Sequence, residues 1–417
     1  MVAVPGVKNC YNIFMAEFKF PDKFFWGAAM SAYQHEGGIF NCDWFLWEID
    51  KKLEAAGEAC RHYEMFEDDF DLAKNLNLNA IRISLEWSRF YPKDGFFSGE
   101  APDHYGAVVK AMRARNLEPF ITLHHFTNPI WFAERGGWAD HKNIDYFVEY
   151  VRTAAQALKN DVKYWLIFNE PMVFLFNAFV AGRWPPGKKS LSAAYRAMEN
   201  MLKAYCLCYE EIKSVYKGSE TIPLVSFAQH LRGFEPCSLH NKIEATIASW
   251  RDHKFNGAVI ETLAKKGYLD FLGINYYTKE YVTARGLFGR ECLKRHHKER
   301  KNFLGWNVAP DSFYEILMRF KDYKIPLIVT ENGTAEKDNA LYEEYMLAHL
   351  RAMAKAIKAG VDLRGYFWWS LLDNFEWADG FSPHFGLYEV NYHTFERKPR
   401  PYSATYGKIA EDNAIEL

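Results

Sequence analysis

The chain has 417 residues and a formal net charge of -2, from 51 Lys and Arg against 53 Asp and Glu. That balance gives no global pull toward nucleic acid or an acidic membrane, and no apolar stretch approaches the ~20 residues that span a bilayer. Aromatic residues make up 17% of the chain, enough both to fill a core and to line a cleft where flat rings stack on the apolar faces of a ligand such as a sugar.

Residues 1–17 lack the long apolar core of a secretory signal. They read as a poorly ordered leader before a domain spanning 18–417. The seven cysteines are odd in number and follow no repeated framework. Cys206 and Cys208 sit two apart in a helical stretch, so they point to different faces and do not suit one metal ion. Reduced cysteines in a cytoplasmic protein are the expectation.

Short apolar runs then recur along the chain. They are FFWGAAM (24–30), AIRISLEW (80–87), PFITLHHF (119–126), YWLIFNE (164–170), IPLVSF (222–227), DFLGINYY (270–277), PLIVTENG (326–333) and GYFWWSLL (365–372). Between them lie segments with helical spacing of apolar residues, among them YEMFEDDFDLAKNLN, DYFVEYVRTAAQALK and YEEYMLAHLRAMAKAIKAG. Alternating strand and helix predicts parallel strands with crossover helices. Eight such units predict an α/β fold, a single (β/α)8 TIM barrel. No linker or low-complexity tract divides it.

Several of these strands end on polar residues. Strand two carries Arg82, strand three ends at His124 and His125, and strand four at Asn169 and Glu170. Strand six carries Asn275 and Tyr277, strand seven Glu331 and Asn332, and strand eight Trp369. In a barrel these C-terminal ends converge on the face that holds the active site. Glu170 and Glu331 could then meet across the mouth. Paired carboxyls are what glycoside hydrolysis needs, one to protonate the leaving oxygen and one to meet the cationic centre. Arg82 is placed to keep Glu331 ionised, leaving Glu170 as the protonated partner. A lone Glu at a strand end is as readily a cap or an arginine partner. Two of them, each beside an Asn, with His, Tyr and Trp at other strand ends, point to chemistry. Adjacent residues of a strand face opposite ways, so His124 and His125 do not readily ligate one metal.

FNEP (168–171) and TENG (330–333) resemble the acid/base and nucleophile motifs of glycoside hydrolase family 1, the retaining β-glucosidase and β-galactosidase family. FPDKFFWGAAMSAYQHEGG (20–38), IRISLEWSRFYP (81–92), TLHHFTNPIWF (122–132), FLGINYYT (271–278) and GYFWWSLLDNFEWADGFSPHFGL (365–387) follow in the family's order. The resemblance covers residues 18 to 412, and NCDWFLWEID (41–50) looks closest to the compact archaeal branch. It implies Glu170 as acid/base and Glu331 as nucleophile, with Tyr277 and Arg82 supporting Glu331. It implies Gln34, His125, Asn169 and Glu376 on the sugar hydroxyls, with Trp377 on the 3-OH side and Asn275 near the 2-OH. Trp369 would be the stacking floor and Phe385 would help close the pocket. Trp368, alternating with Trp369, should face the helices, and His124 should pack behind the sheet.

The implied activity is hydrolysis of terminal β-linked glucosyl, galactosyl or fucosyl residues through a covalent glycosyl-enzyme, with no metal or organic cofactor. The implied partner is a small β-glycoside or oligosaccharide; a homo-oligomer is among the assemblies such a chain allows. Glu376 would repel a phosphate dianion, which favours unphosphorylated sugars. A transglycosidase would use the same intermediate. A non-catalytic sugar-binding barrel is the remaining alternative, because fold does not fix function. The basic run GRECLKRHHKERK (289–301) reads as a solvated loop after strand six.

Overall fold

The eight apolar runs are strands, and nearly all of their residues are buried. In the computed structural model, which describes residues 17–284, 292 and 299–417, they are β1 (Phe25–Ala29), β2 (Ala80–Ser84), β3 (Glu118–His124), β4 (Tyr164–Asn169), β5 (Leu224–Pro236), β6 (Leu272–Val282), β7 (Leu327–Asn332) and β8 (Leu363–Trp369). Each pairs in parallel with its neighbours in sequence. β8 returns to β1 in the register Phe25–Gly365 to Ala29–Trp369 and closes the barrel. Burial on both faces is why these segments read as continuous apolar runs.

The major crossover helices are α1 (His62–Asn75), α2 (Glu100–Ala114), α3 (Ile144–Leu158), α4 (Leu191–Val215), α5 (Ala258–Lys265), α6 (Pro310–Arg319) and α7 (Asn339–Lys358), with α8 (Pro401–Asp412) after the last strand. Their apolar stripes face the sheet. On α3, Phe147, Val151, Ala154 and Leu158 are buried at helical spacing while Arg152 and Gln156 are exposed. Side-chain oxygens of Ser190 and Asp338 cap α4 and α7.

Phe120, Leu166, Phe271, Ile328 and Phe367 form a second apolar cluster, apart from the larger core that the helices cover. The Phe120 ring lies 4.2 Å from Tyr164 and 4.8 Å from Phe367. Gly27 makes room for this plug, since a Cβ there would sit 2.5 Å from the Phe367 ring. The barrel is therefore packed through its middle, and the polar strand ends gather above the plug.

Two strands outrun their expected lengths. β5 and β6 continue past a register shift at Leu231/Gly233 and stay paired from Gly233–Lys279 to Pro236–Val282. The added residues are mostly half-buried and include Glu235, Lys279 and Glu280, so no apolar run marks them. Just past β5, Cys237 forms a disulfide with Cys292. This corrects the expectation of reduced cysteines throughout; Cys42, Cys60, Cys206 and Cys208 are free. A Cys pair 55 residues apart leaves no periodic trace in a sequence, so spacing alone could not find it. Of the basic run 289–301, residues 289–291 and 293–298 lie outside the described residues, as do 1–16 of the expected leader. Glu17 already belongs to a short strand, Glu17–Lys19, paired antiparallel with Ala414–Glu416. Among the described residues, no helix is long and apolar enough to cross a membrane.

Candidate active site

At the end of β4 the chain must leave the sheet and turn its last side chain inward. Glu170 does this in the left-handed region, at φ +43°, with its N–H bonded to the Ala228 carbonyl at 2.8 Å. Pro171, whose missing N–H costs nothing at a helix start, then opens the short helix Pro171–Leu175. The Glu170 carboxyl faces a cavity of about 680 Å³. Gln34, His125, Asn169, Tyr277, Glu331, Trp369, Glu376, Trp377 and Phe385 line the same cavity. Arg82 and Asn275 do not line it. They are buried beneath it and hold the lining groups in place.

Arg82 is the hub. Its Nη1 donates to Glu331 Oε1 at 2.5 Å, its Nη2 to Asn169 Oδ1 at 2.7 Å and its Nε to Thr122 Oγ1 at 3.0 Å. Tyr277 donates its hydroxyl to Glu331 Oε2 at 2.7 Å. Asn275 Nδ2 donates to Glu170 Oε1 at 2.8 Å and to Asn169 Oδ1 at 3.1 Å, while Thr330 Oγ1 donates to its Oδ1 at 2.7 Å. Because Asn169 Oδ1 accepts from two donors, its amide N–H group is turned to His125 Nε2, 3.1 Å away. Gln34 is fixed likewise. Its Nε2 donates to the Phe375 carbonyl at 2.9 Å and to Asn374 Oδ1 at 3.0 Å, with Glu376 Oε2 at 3.3 Å.

The aromatic residues divide as alternation requires. Trp369 faces the cavity, its ring 6.0 Å from the nearly parallel His125 ring. Trp368 points away and packs on Tyr402 and Tyr345 of the helical layer. His124 lies behind the sheet beside Asn128, Trp138 and Phe168. Trp377 stacks 5.8 Å from Tyr33 and tilts against Trp44 at 4.8 Å.

Several site residues escaped the sequence reading, His230, Arg232 and Trp306 among them. His230 and Arg232 lie on β5, whose expected range stopped three residues before His230. His230 Nδ1 lies 3.2 Å from Glu170 Oε1, and Arg232 Nη2 lies 3.2 Å from His230 Nε2. A guanidinium only donates. His230 Nε2 must therefore accept, which places the ring proton on Nδ1 and makes His230 a donor to Glu170. Trp306, packed 5.6 Å from Tyr277, also lines the cavity unforeseen. The missed signal was the absence of any polar end on strand five where six other strands had one.

Burial dominates the charges here. It pushes Glu376 up to about 8, with Asp379, Glu331 and Glu170 adding to the rise. It pushes Glu331 up to about 7; the Arg82 charge and Tyr277 hydrogen bond oppose it, and the Glu170 charge adds to it. Burial also raises Glu170, but a charged His230, hydrogen bonds from His230 and Asn275, and Arg82 together hold it below the usual range. The charge on His230 is the contested part of that balance. Burial pushes the imidazole below its ordinary value, and Arg232 pushes the same way. With the ring neutral, Glu170 loses its nearest counter-charge while Glu331 keeps the permanent cation of Arg82.

A family model for glycosyl hydrolase family 1 matches residues 16–268 and 229–415. The chain belongs to glycosyl hydrolase family 1. It is 29% identical to β-glucosidase A of Thermotoga maritima, over 95% of this chain and 99% of that protein. It is 30% identical to the chloroplastic galactolipid galactosyltransferase SFR2 of Arabidopsis thaliana, over 84% of this chain and 57% of that one. The solved β-glycosidase from Pyrococcus horikoshii superposes with a TM-score of 0.89 at 35% identity, covering 96% of this chain and 97% of that structure. As a family 1 glycosyl hydrolase, this barrel carries its carboxyl pair on β4 and β7, at the mouth where its fold places active sites.

Proposed function

We propose that this glycosyl hydrolase removes terminal nonreducing β-linked sugars, glucosyl first and then galactosyl and fucosyl, with retention of configuration. The observation that carries the reading is the pair Glu170 and Glu331, facing one cavity and bridged from below by Arg82, Asn169 and Asn275. Glu331 is the nucleophile. Its two oxygens are held by Arg82 and Tyr277, which stabilise the carboxylate and aim it. Glu170 is the acid. With His230 neutral, burial and the Glu331 charge both favour its protonated form at neutral pH.

In the first step Glu331 forms a bond to the anomeric carbon as the bond to the leaving oxygen breaks, and that oxygen takes the Glu170 proton. In the second, Glu170 accepts a proton from water, water oxygen bonds the anomeric carbon, and Glu331 departs. Gln34, His125, Asn169 and Glu376 receive the sugar hydroxyls, Trp377 the 3-OH side, and Trp369 the apolar face, with Phe385 at the edge of the pocket. A phosphorylated sugar would bring further negative charge to a pocket already lined by four carboxyls, so unphosphorylated sugars are favoured.

Replacing Glu331 by Gly should abolish hydrolysis, and azide or formate should restore turnover of an activated aryl glucoside. Full activity in that variant would remove Glu331 from the mechanism. The relative named a galactosyltransferase supports a second reading, transfer of the sugar to an alcohol through the same intermediate. Product analysis with an added alcohol separates the two: alkyl glycoside marks transfer, free sugar marks hydrolysis.

A further inference from the structure

A leaving group departs on the side of the acid that protonates it. From Glu170 a continuous line of polar contacts runs outward along β5 and β6. Glu170 Oε1 meets His230, and His230 Nε2 meets Arg232. Arg232 Nη1 donates to Glu280 Oε2 at 3.3 Å, and Arg251 Nη1 donates to Glu280 Oε1 at 2.6 Å. Two guanidiniums thus share one carboxylate, leaving one positive charge uncompensated. Arg232 and Arg251 line the cleft and Glu280 does not. Lys254 lines the same wall, is exposed, and forms no ion pair among the described residues.

The charges of the cleft are largely segregated. Its acidic lining residues are Glu170, Glu331, Glu376 and Asp379, at or after the ends of β4, β7 and β8, where Arg183 near Asp379 is the one lining cation among the described residues, and every charged lining residue on the β5 side is a cation. Two of those cations, Arg232 and Arg251, are also held in place. The Arg232 guanidinium lies 5.4 Å from the Phe255 ring centre and that of Arg251 lies 5.0 Å from Phe234. Cations fixed by rings and a carboxylate lose little freedom on meeting an anion. Trp250 and Phe255 add aromatic surface to the same wall, with Trp250 46% exposed.

We propose that the aglycone end of this cleft is a subsite for glycosides whose aglycone bears a carboxylate on an aromatic body, received by Arg232, Arg251 and Lys254. This rests on Glu170 being the acid. The test compares kcat/KM for 4-nitrophenyl β-glucoside and its 3-carboxy derivative in the full chain. The carboxylated substrate should be preferred about tenfold at about 0.01 M salt, and the preference should vanish near 1 M, where the Debye length is about 3 Å. Lys254→Gln and Arg251→Gln should each cut the ratio about threefold, and Lys254→Arg should keep it. A ratio at or below one at low salt, or one that neither neutral variant changes, overturns the subsite. If the protein hydrolyses neither compound, the hydrolase reading fails. The ratio of calorimetric Kd values for the two intact glucosides then decides the subsite alone: tighter binding of the charged one upholds it, and equal binding overturns it.

Discussion

The two ends of the cleft are built differently. At the sugar end, the polar groups are buried and mostly paired: Arg82, Asn169, Asn275, Glu170 and Glu331 form one hydrogen-bonded set over a plug of Phe120 and Phe367, and Gln34 with Glu376 forms a second. At the end proposed for the aglycone, the wall is the half-buried extension of β5 and β6 together with the helical segment 242–257, and it carries cations and rings, Lys254 and Trp250 among them exposed. The first end trades solvation for fixed geometry, which the chemistry needs. The second keeps solvation and can vary its partners.

The widest gap between the ends should appear in Glu170→Ala. Loss of a general acid costs about 10²- to 10⁴-fold where the leaving group needs a proton. The fall in kcat/KM should be large for alkyl glucosides and small for a dinitrophenyl glucoside. An equal loss on both substrates would take the acid role away from Glu170.

Arg82→Met tests whether the sugar end depends on its hub. It leaves Glu331 and Asn169 facing a buried site without their cation, and breaking a buried ion pair from one side costs about 3–5 kcal/mol. Chemical denaturation should report that loss, and Arg82→Lys should not recover activity, since one ammonium cannot reach Glu331, Asn169 and Thr122 together. A stable Arg82→Met protein would mean the network is dispensable to the fold.

The same contrast governs what could be read from the sequence. The barrel and the sugar end were legible because each rests on a contiguous signal: an apolar run that ends on a polar residue. Glu170, Asn169, Glu331 and Asn275 all sit at or just past the end of such a run. Gln34, Glu376 and Trp377 lie off the strands and were reached only through resemblance. The aglycone wall had neither aid. Past Phe227 the β5 sequence becomes AQHLRGFEP, in which half-buried charges erase the apolar pattern while pairing to β6 continues. That pairing, the His230–Glu170 contact and the Cys237–Cys292 bond are all long-range, and a single sequence does not record long-range partners.

Glu376→Gln should separate stability from function at the sugar end. In the folded protein this carboxyl titrates at about 8, against an ordinary 4.5. Between those values the folded state holds a proton that the unfolded state has lost, so its contribution to stability falls as pH rises through that window. Glutamine removes the penalty. The variant should gain on the order of 2 kcal/mol over wild type near pH 9, nothing near pH 4, and should bind glucosides more weakly. A gain that does not depend on pH would point to packing instead.

His230 joins the two ends, and its effect should be the smallest. Arg232 fixes its tautomer, so the neutral ring donates to Glu170 and favours the ionised acid. Removing that donor in His230→Leu should raise the pKa of Glu170. The acid then keeps its proton to higher pH, and the alkaline limb of kcat/KM should move up by about 1 unit, with a severalfold change in rate at neutral pH. Arg232→Met should act more weakly and in a distinct way, because it frees Nε2 and lets the imidazole proton redistribute. Nitrogen-15 shifts of His230 follow this directly: a pyrrole-type Nδ1 and pyridine-type Nε2 in wild type, and an averaged pair in Arg232→Met. If the limb stays in place in His230→Leu while the rate falls, His230 packs the site without tuning its acid, and the aglycone wall touches catalysis only through the substrates it admits.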